Sequence, residues 1–199
     1  MRTETPPTIR LQDYTPSDYL IDHVSLDVDL RPTATQVVSV LKMRPNPASK
    51  TVHAPLRLDG EAVELKSVAI DGETIGDNRY TVTADQLIIE TVPDAEFELT
   101  ITTECNPDAN TALSGLYRSN GVYCTQCEAE GFRRITYFLD RPDVLATYQV
   151  RVEADRDAVP VLLANGNPVE TGEADKGRHF AVWQDPWPKP AYLFALVAG

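Results

Sequence analysis

Hydrophobic and polar residues alternate with a period of two along most of this chain. The alternation is clearest in segments 23–30, 96–101 and 148–154. Successive side chains of a β-strand point to opposite faces, so each segment predicts a strand with one buried face and one wet face. Helical periodicity is nearly absent, and fifteen prolines oppose long helices.

Turn signals separate these alternating segments. Glycine supplies the positive φ that tight turns require, and it follows Asp or Asn at four places. These dipeptides are Asp59-Gly60, Asp71-Gly72, Asn120-Gly121 and Asn165-Gly166. Segment 117–123, which contains the third dipeptide, predicts a β-hairpin.

One short helical turn is expected after Asp140, whose carboxylate would cap it, with Pro142 near its start. Everything else favours an all-β fold. We predict an antiparallel β-sandwich or a twisted, saddle-like sheet assembly with little helix, which forms a single domain over residues 1–199.

The last fifteen residues carry a separate signal. Prolines make segment 185–190 a stiff, extended connector. The apolar segment 191–199 then predicts a strand that needs cover on both faces. An apolar ending of this kind favours a chain cut at a domain boundary, with a further domain beyond it.

Charge narrows the classes of partner. The formal net charge is −12, which repels phosphate backbones and anionic lipid and so argues against nucleic acid and membrane partners. The first ten residues are unlike a signal peptide, and no apolar segment is long enough to span a membrane. Three cysteines, an odd number, suit reduced thiols, and we expect a cytoplasmic protein.

The chain lacks the motifs of a complete enzyme. Its histidines, at positions 23, 53 and 179, form no H-E-x-x-H pair. Cys124 and Cys127 have C-x-x-C spacing, which is half of a structural zinc site. A redox dithiol would need a βαβ pattern that is missing, so two packed thiols are the more ordinary interpretation. Nucleophile elbows and phosphate loops are also absent from the sequence.

An acidic segment, 126–134, follows the predicted hairpin. Glu128 and Glu130 would project to the same side of a strand if the segment is extended. Two like charges repel each other unless a cation lies beside them. Arg133 and Arg134 are close enough in sequence to supply that cation, and a cationic ligand is the alternative.

Three strings in the same region carry a family resemblance: N-T-A-L-S-G-L-Y at 110–117, C-T-Q-C-E-A-E-G-F-R at 124–133 and D-R-P-D-V at 140–144. With segments 163–167 and 183–199, they closely resemble the amino-terminal domain of bacterial aminopeptidase N, a zinc metallo-aminopeptidase of the gluzincin family. The likeness covers essentially the whole chain and is weakest before residue 55.

This resemblance implies a parent enzyme that removes single residues from peptide amino termini. Zinc and the G-x-M-E-N motif would belong to the following catalytic domain, so this chain would supply no catalytic residue or metal ligand and would be inactive alone. By the same resemblance, Glu128 would bind the substrate's free α-ammonium and Gln126 would line the pocket for its first side chain. Relatives that hydrolyse epoxides carry glutamine where Glu128 stands. The alternative is a stand-alone β-sandwich binding module without catalysis.

Overall fold

Three β-sheets and five short 3-10 helices make up residues 10–199, the range that the computed structural model describes. The first nine residues lie outside this range, and the segment judged unlike a signal peptide falls almost entirely among them. The prediction of an all-β fold with little helix is confirmed. The 3-10 helices are Leu11–Asp13, Asp77–Arg79, Phe132–Arg134, Asp175–Gly177 and Ala191–Leu193.

The largest sheet has eight strands in the order β13-β14-β11-β1-β2-β8-β4-β5. In chain order they are β1 (Tyr19–Asp29), β2 (Thr35–Pro45), β4 (Glu64–Ile70), β5 (Glu73–Thr74), β8 (Phe97–Cys105), β11 (Ala146–Asp155), β13 (Asn167–Ala174) and β14 (Arg178–Lys189). The three alternating segments fall in β1, β8 and β11. In β1, Val24, Leu26 and Val28 are buried, as the period of two predicts.

One neighbouring pair departs from the antiparallel prediction. Strands β1 and β11 run parallel, with Val24 opposite Tyr148. The other strand pairs within residues 10–199 are antiparallel. A parallel neighbour requires a crossover connection, and more than 100 residues of chain separate these two strands. Local patterning carries no information on a partner so distant in sequence.

Two smaller sheets pack with the large one. The four-stranded sheet has the order β12-β15-β10-β9, and the three-stranded sheet has the order β3-β7-β6. Their strands are β3 (Leu56–Asp59), β6 (Tyr80–Val82), β7 (Gln86–Ile89), β9 (Gly115–Ser119), β10 (Val122–Gln126), β12 (Leu162–Ala164) and β15 (Leu196–Ala198).

The last strand, β15, is covered on one face only. Leu196 and Ala198 are buried, but Val197 between them is 42% exposed. Residues 10–199 cover one face of β15, which lies inside a sheet whose outer face is open, so cover of that second face stays a prediction for the further domain. The proline-rich segment before it is extended as predicted, although its residues 185–189 belong to β14.

Most of the predicted turns form. Asn120 and Gly121 have φ of 49° and 86°, as a type I′ turn requires, and they join β9 to β10, so the hairpin over 117–123 is confirmed. Gly72 and Gly166 also have positive φ. Asp59-Gly60 is different because β3 pairs with β7. At Gly60, an added Cβ would lie 2.2 Å from a ring carbon of Tyr137, so this glycine makes room for an aromatic ring.

Four aromatic side chains join the elements beneath the acidic segment. The rings of Phe132 and Phe138 lie 4.7 Å apart, those of Phe132 and Phe194 lie 5.1 Å apart, and those of Phe132 and Tyr148 lie 6.3 Å apart. All four residues are buried, and the edge-to-face geometry is the favourable one for aromatic pairs. The cluster therefore connects the segment after β10 with β11 and with the approach to β15.

Candidate functional site

The acidic segment begins at the end of strand β10, which two neighbours hold in place. On one side β9 pairs with β10 as far as Gly115 and Gln126. On the other side the Thr125 hydroxyl accepts a hydrogen bond from the Leu196 N–H at 2.8 Å and donates one to the Leu196 carbonyl at 3.0 Å. The side chain of Thr125 thus continues the connection to β15 where the backbone ladder has stopped.

A tight turn, Cys127–Gly131, follows directly and is called the acidic turn below. The Gly131 N–H donates to the Cys127 carbonyl at 2.8 Å, and the peptide bond between Glu128 and Ala129 is cis. An added Cβ at Gly131 would lie 2.4 Å from the Gln126 carbonyl oxygen, so only glycine fits there. Glu128 and Glu130 would share one side only in an extended segment, and this segment is not extended, because β10 ends at Gln126.

The structure brings the two predicted substrate-binding residues together. The Gln126 side-chain amide donates to the Glu128 carbonyl at 3.4 Å, and both residues are exposed. Within residues 10–199 the carboxylate of Glu128 makes no ion pair. A cation that approaches the acidic turn from outside therefore meets an available carboxylate.

Glu130, in contrast, has a partner. Its carboxylate lies 3.6 Å from the guanidinium of Arg133. Arg134 does not contribute to the acidic turn, since it pairs with Glu61 at 2.8 Å. The hypothesis that the two arginines satisfy the acidic segment thus holds for one carboxylate and not for the other.

Asp140 is the main partner of Arg133. Its carboxylate accepts from the Arg133 Nε at 3.0 Å and from the Arg133 backbone N–H at 3.2 Å. Burial raises the pKa of Asp140, while the bonds from Arg133 act in the opposite direction. The prediction that Asp140 caps a helical turn was wrong. Residues Arg141–Val144 form only a hydrogen-bonded turn, and the carboxylate points to Arg133 instead.

The cysteines do not form a reactive pair. Cys127 is buried, and burial raises the pKa of its thiol to about 12. Cys105 is also buried with its pKa raised to about 12, and all three cysteines are free thiols. A redox dithiol needs a lowered thiol pKa, so the structure opposes that hypothesis. Nowhere in residues 10–199 do three or more His, Cys, Asp or Glu side chains gather as a metal site would require.

Next to the acidic turn, the four-stranded sheet presents an open apolar face. Leu163 stands opposite Val197, and Val197 stands opposite Cys124, so the three side chains form a row on one face. Leu163 and Val197 are 45% and 42% exposed. We call this row, with Val122 two residues before Cys124, the outer face of the four-stranded sheet. The need of the apolar segment 191–199 for cover on a second face indicated this surface, whereas the contributions of Leu163 and Val122 depend on strand pairing that local patterns do not show.

The part of the chain that the structure describes does not enclose the acidic turn, whose residues Glu128–Glu130 are exposed. A well-formed cavity of about 390 Å³ opens elsewhere, between Tyr14, Lys50, Arg57 and Gln86. Gln126 and Glu128 do not line it. Concave ligand sites bury most of their ligand, and the exposed side chains of Gln126 and Glu128 do not form such a site within residues 10–199. They also contain no helix long and apolar enough to cross a membrane.

The sheet assembly and the acidic turn together define a class of protein. Residues 18–193 match the model of the Peptidase M1 N-terminal domain, and the chain belongs to this family. It is 53% identical over 199 residues to aminopeptidase N of Caulobacter vibrioides, covering 100% of this chain and 22% of that relative.

Two solved structures have the same fold. Aminopeptidase A of Legionella pneumophila, crystallised with aspartic acid, superimposes with a TM-score of 0.91 at 40% identity over 96% of this chain and 22% of that one. An M1 zinc metallopeptidase from Deinococcus radiodurans has a TM-score of 0.77 at 20% identity, over 92% of this chain and 43% of that one. The chain thus spans about a fifth of the length of its aminopeptidase N relative.

Proposed function

We propose that residues 1–199 form the single amino-terminal β domain of a multidomain, zinc-dependent aminopeptidase that removes single residues from the amino termini of peptides. In this proposal the acidic turn reaches into the active site of the following catalytic domain. Membership of the M1 family and 53% identity to an aminopeptidase N support it. The alternative of a stand-alone binding module is not favoured, because these relatives are peptidases.

Glu128 is the proposed anchor for the substrate's α-ammonium group. The α-amine has an ordinary pKa of about 7.7–8.0, so most peptide substrate is cationic at neutral pH. A carboxylate forms a strong, short hydrogen bond to such a cation. Internal peptide bonds carry no equivalent charge, so this contact selects chain ends and places the first peptide bond at a fixed distance. The observation that supports this role most directly is that the carboxylate of Glu128 is exposed and has no ion-pair partner in the described residues.

Gln126 is the proposed lining of the pocket for the first side chain. It precedes the anchor by two residues, and its amide donates to the Glu128 carbonyl. A side chain bonded to the backbone of the anchor would face the same substrate residue. Its neutral amide adds no charge to compete with the anchor.

Zinc belongs, in this proposal, to the catalytic domain. The donor groups of residues 10–199 do not fit a zinc ion, since they form no cluster of three or more ligands. No step of the reaction is therefore assigned to metal in this chain. The free thiols of Cys105, Cys124 and Cys127 suit a reducing compartment, and on that ground we propose a cytoplasmic location.

The catalytic domain is the proposed partner of the outer face of the four-stranded sheet. Exposed contiguous apolar surface marks interaction sites, and this face adjoins the acidic turn. Cys124 provides a test because it is half-buried on this face, whereas Cys105 and Cys127 are buried. We expect a small thiol reagent to label Cys124 quickly in residues 1–199 and at least roughly tenfold more slowly in the full-length chain. Equal labelling rates would rule out this face as the docking surface.

Replacing Glu128 tests the anchor. In the full-length enzyme, Glu128→Ala should lower kcat/KM for a peptide substrate by the equivalent of about 2–5 kcal/mol, the usual effect of removing one partner of a buried charge pair. Glu61→Ala is the matched control, since Glu61 pairs with Arg134 outside the acidic turn. Kinetics of Glu128→Ala that match those of the control would reject the anchor.

A further inference from the structure

One guanidinium connects the acidic turn to the rest of the domain. Arg133 lies 3.6 Å from Glu130 in the turn, 3.0 Å from Asp140 and 3.7 Å from Asp59 at the end of β3. Its Nη2 also donates to the Asp140 carbonyl at 3.2 Å. Three separate segments of the chain therefore meet at one side chain, and only one of the three contacts reaches into the acidic turn.

Contacts other than the one with Glu130 hold Arg133 in place. Its side chain is 20% exposed, and that of Asp140 is 2% exposed. The backbone is fixed as well, because the Glu61 N–H donates to the Arg133 carbonyl at 3.0 Å. Exposed ion pairs are usually weak because two flexible side chains must be ordered. Here the arginine is already ordered, so its contact with Glu130 is made to a fixed cation.

This arrangement gives the two carboxylates of the acidic turn different roles. Arg133 neutralises Glu130 and draws it toward the domain. Glu128 is left as the carboxylate that can accept an incoming cation. Without Arg133, Glu128 and Glu130 would be two equivalent anions within three residues, and an ammonium group could bind either.

We propose that Arg133 is a positioning residue that directs the substrate's α-ammonium to Glu128 by occupying Glu130 and fixing the end of the acidic turn. The inference rests on the proposed function, since it acts through Glu128. Arg133 itself touches no substrate in this proposal.

The test measures how much the α-amine contributes to binding in the full-length enzyme. Inhibition constants are compared for an amino-acid hydroxamate and its desamino counterpart, which share the same metal-binding group. The inhibition constant of the desamino compound divided by that of the amino compound reports the contribution of the α-amine to binding. A general loss of stability would not change this ratio. Variants are Arg133→Met and Arg133→Lys, each with and without Glu128→Gln.

We expect Arg133→Met to reduce this ratio roughly 10- to 100-fold, the usual consequence of misplacing a contact group by about 1 Å. Arg133→Lys should recover part of the loss, because it keeps the charge but not the forked geometry. In the Glu128→Gln background, Arg133→Met should cause no further decrease. Arg134→Met is the matched control, since it lies on the same 3-10 helix at 17% exposure and pairs outside the turn.

The possible failures are distinguishable. If Glu128→Gln leaves the ratio unchanged, the proposed function itself is wrong. If Glu128→Gln removes the difference between the two inhibition constants but Arg133→Met leaves the ratio unchanged, only the role of Arg133 is overturned. The same holds if Arg133→Met lowers the ratio by the same factor with and without Glu128→Gln. Should Arg133→Met fail to fold, Arg133→Lys, which keeps the charge but loses the forked geometry, must still lower the ratio for the inference to stand.

Discussion

At the scale of single residues, side chains of the same type differ in behaviour because their surroundings differ. Glu128 and Glu130 are two residues apart, yet one is unpaired within the described residues and the other faces Arg133. Tyr148 shows the same principle in the core. Lys189 lies 3.8 Å from the centroid of its ring, but its buried hydroxyl has no hydrogen-bond partner among residues 10–199. Burial disfavours the charged phenolate and so raises the pKa of Tyr148.

Removing that hydroxyl should be harmless. Tyr148→Phe is expected to leave the free energy of unfolding unchanged or raise it by up to about 1 kcal/mol, since an unsatisfied buried polar group is destabilising. Tyr148→Ala, the control, should lose about 3–5 kcal/mol because it also removes the ring from the aromatic cluster. Urea unfolding measures both. A loss above about 1 kcal/mol for the phenylalanine variant would mean that the hydroxyl has a partner.

At the scale of elements, sequence patterns predict what is local. Alternation identified β1, β8 and β11, and Asn120-Gly121 predicted the β9–β10 hairpin, because both signals lie within a few residues. The acidic turn could not be read in this way. Its shape depends on contacts between Gly131 and the end of β10, which periodicity does not show.

Contacts set by tertiary packing could not be predicted from local sequence patterns, whether their residues are distant in sequence, as in β1 and β11, or only seven apart, as in Arg133 and Asp140. Asp140 looked like a helix cap because its sequence neighbours suggested one, whereas its actual partner, Arg133, is set by tertiary packing. The roles of Gln126 and Glu128 came from the family resemblance and not from residue patterns. They remain proposals that the structure supports through exposure and proximity.

The acidic turn should require glycine at position 131 because there is no room for a Cβ, and not because the backbone is strained. Gly131→Ala is expected to lower the free energy of unfolding by about 1–3 kcal/mol, because the new Cβ overlaps the Gln126 carbonyl. Gly121→Ala is the control: nothing lies within 4 Å of its Cβ, and only its positive φ is unfavourable, by about 1–2 kcal/mol. A loss well below about 1 kcal/mol for Gly131→Ala in urea unfolding would mean that the turn is not closely packed around this glycine.

At the scale of the whole molecule, ion pairs connect three neighbouring strands of the large sheet, β14, β11 and β1, despite a net charge of −12. Arg178 of β14 contacts Asp29 of β1 and binds Glu153 of β11 at 2.7 Å. Arg151 also binds Glu153, at 2.6 Å. Burial opposes ionisation of Glu153, but the bonds from the two arginines outweigh it and lower its pKa.

This network predicts a pH dependence of known sign. A carboxyl whose pKa is lowered by folding stabilises the protein above its unfolded pKa of about 4.3, and the stabilisation is lost as pH falls through the folded pKa. The difference in unfolding free energy between the parent chain and Glu153→Gln should therefore be larger at pH 7 than at pH 3. Glu90→Gln is the matched control, since Glu90 is exposed and makes no ion pair within residues 10–199. A difference for Glu153→Gln that stays constant with pH would contradict the network.

The central claim is that the carboxylate of Glu128 holds the α-ammonium group of the substrate. A crystal structure of the full-length enzyme with a bound amino acid tests it most directly, through the distance from a Glu128 carboxylate oxygen to the α-nitrogen. We predict a charge-assisted hydrogen bond of about 2.7–2.9 Å. An α-nitrogen bound by other groups, with Glu128 beyond hydrogen-bond reach and turned away from the cleft, would contradict the account.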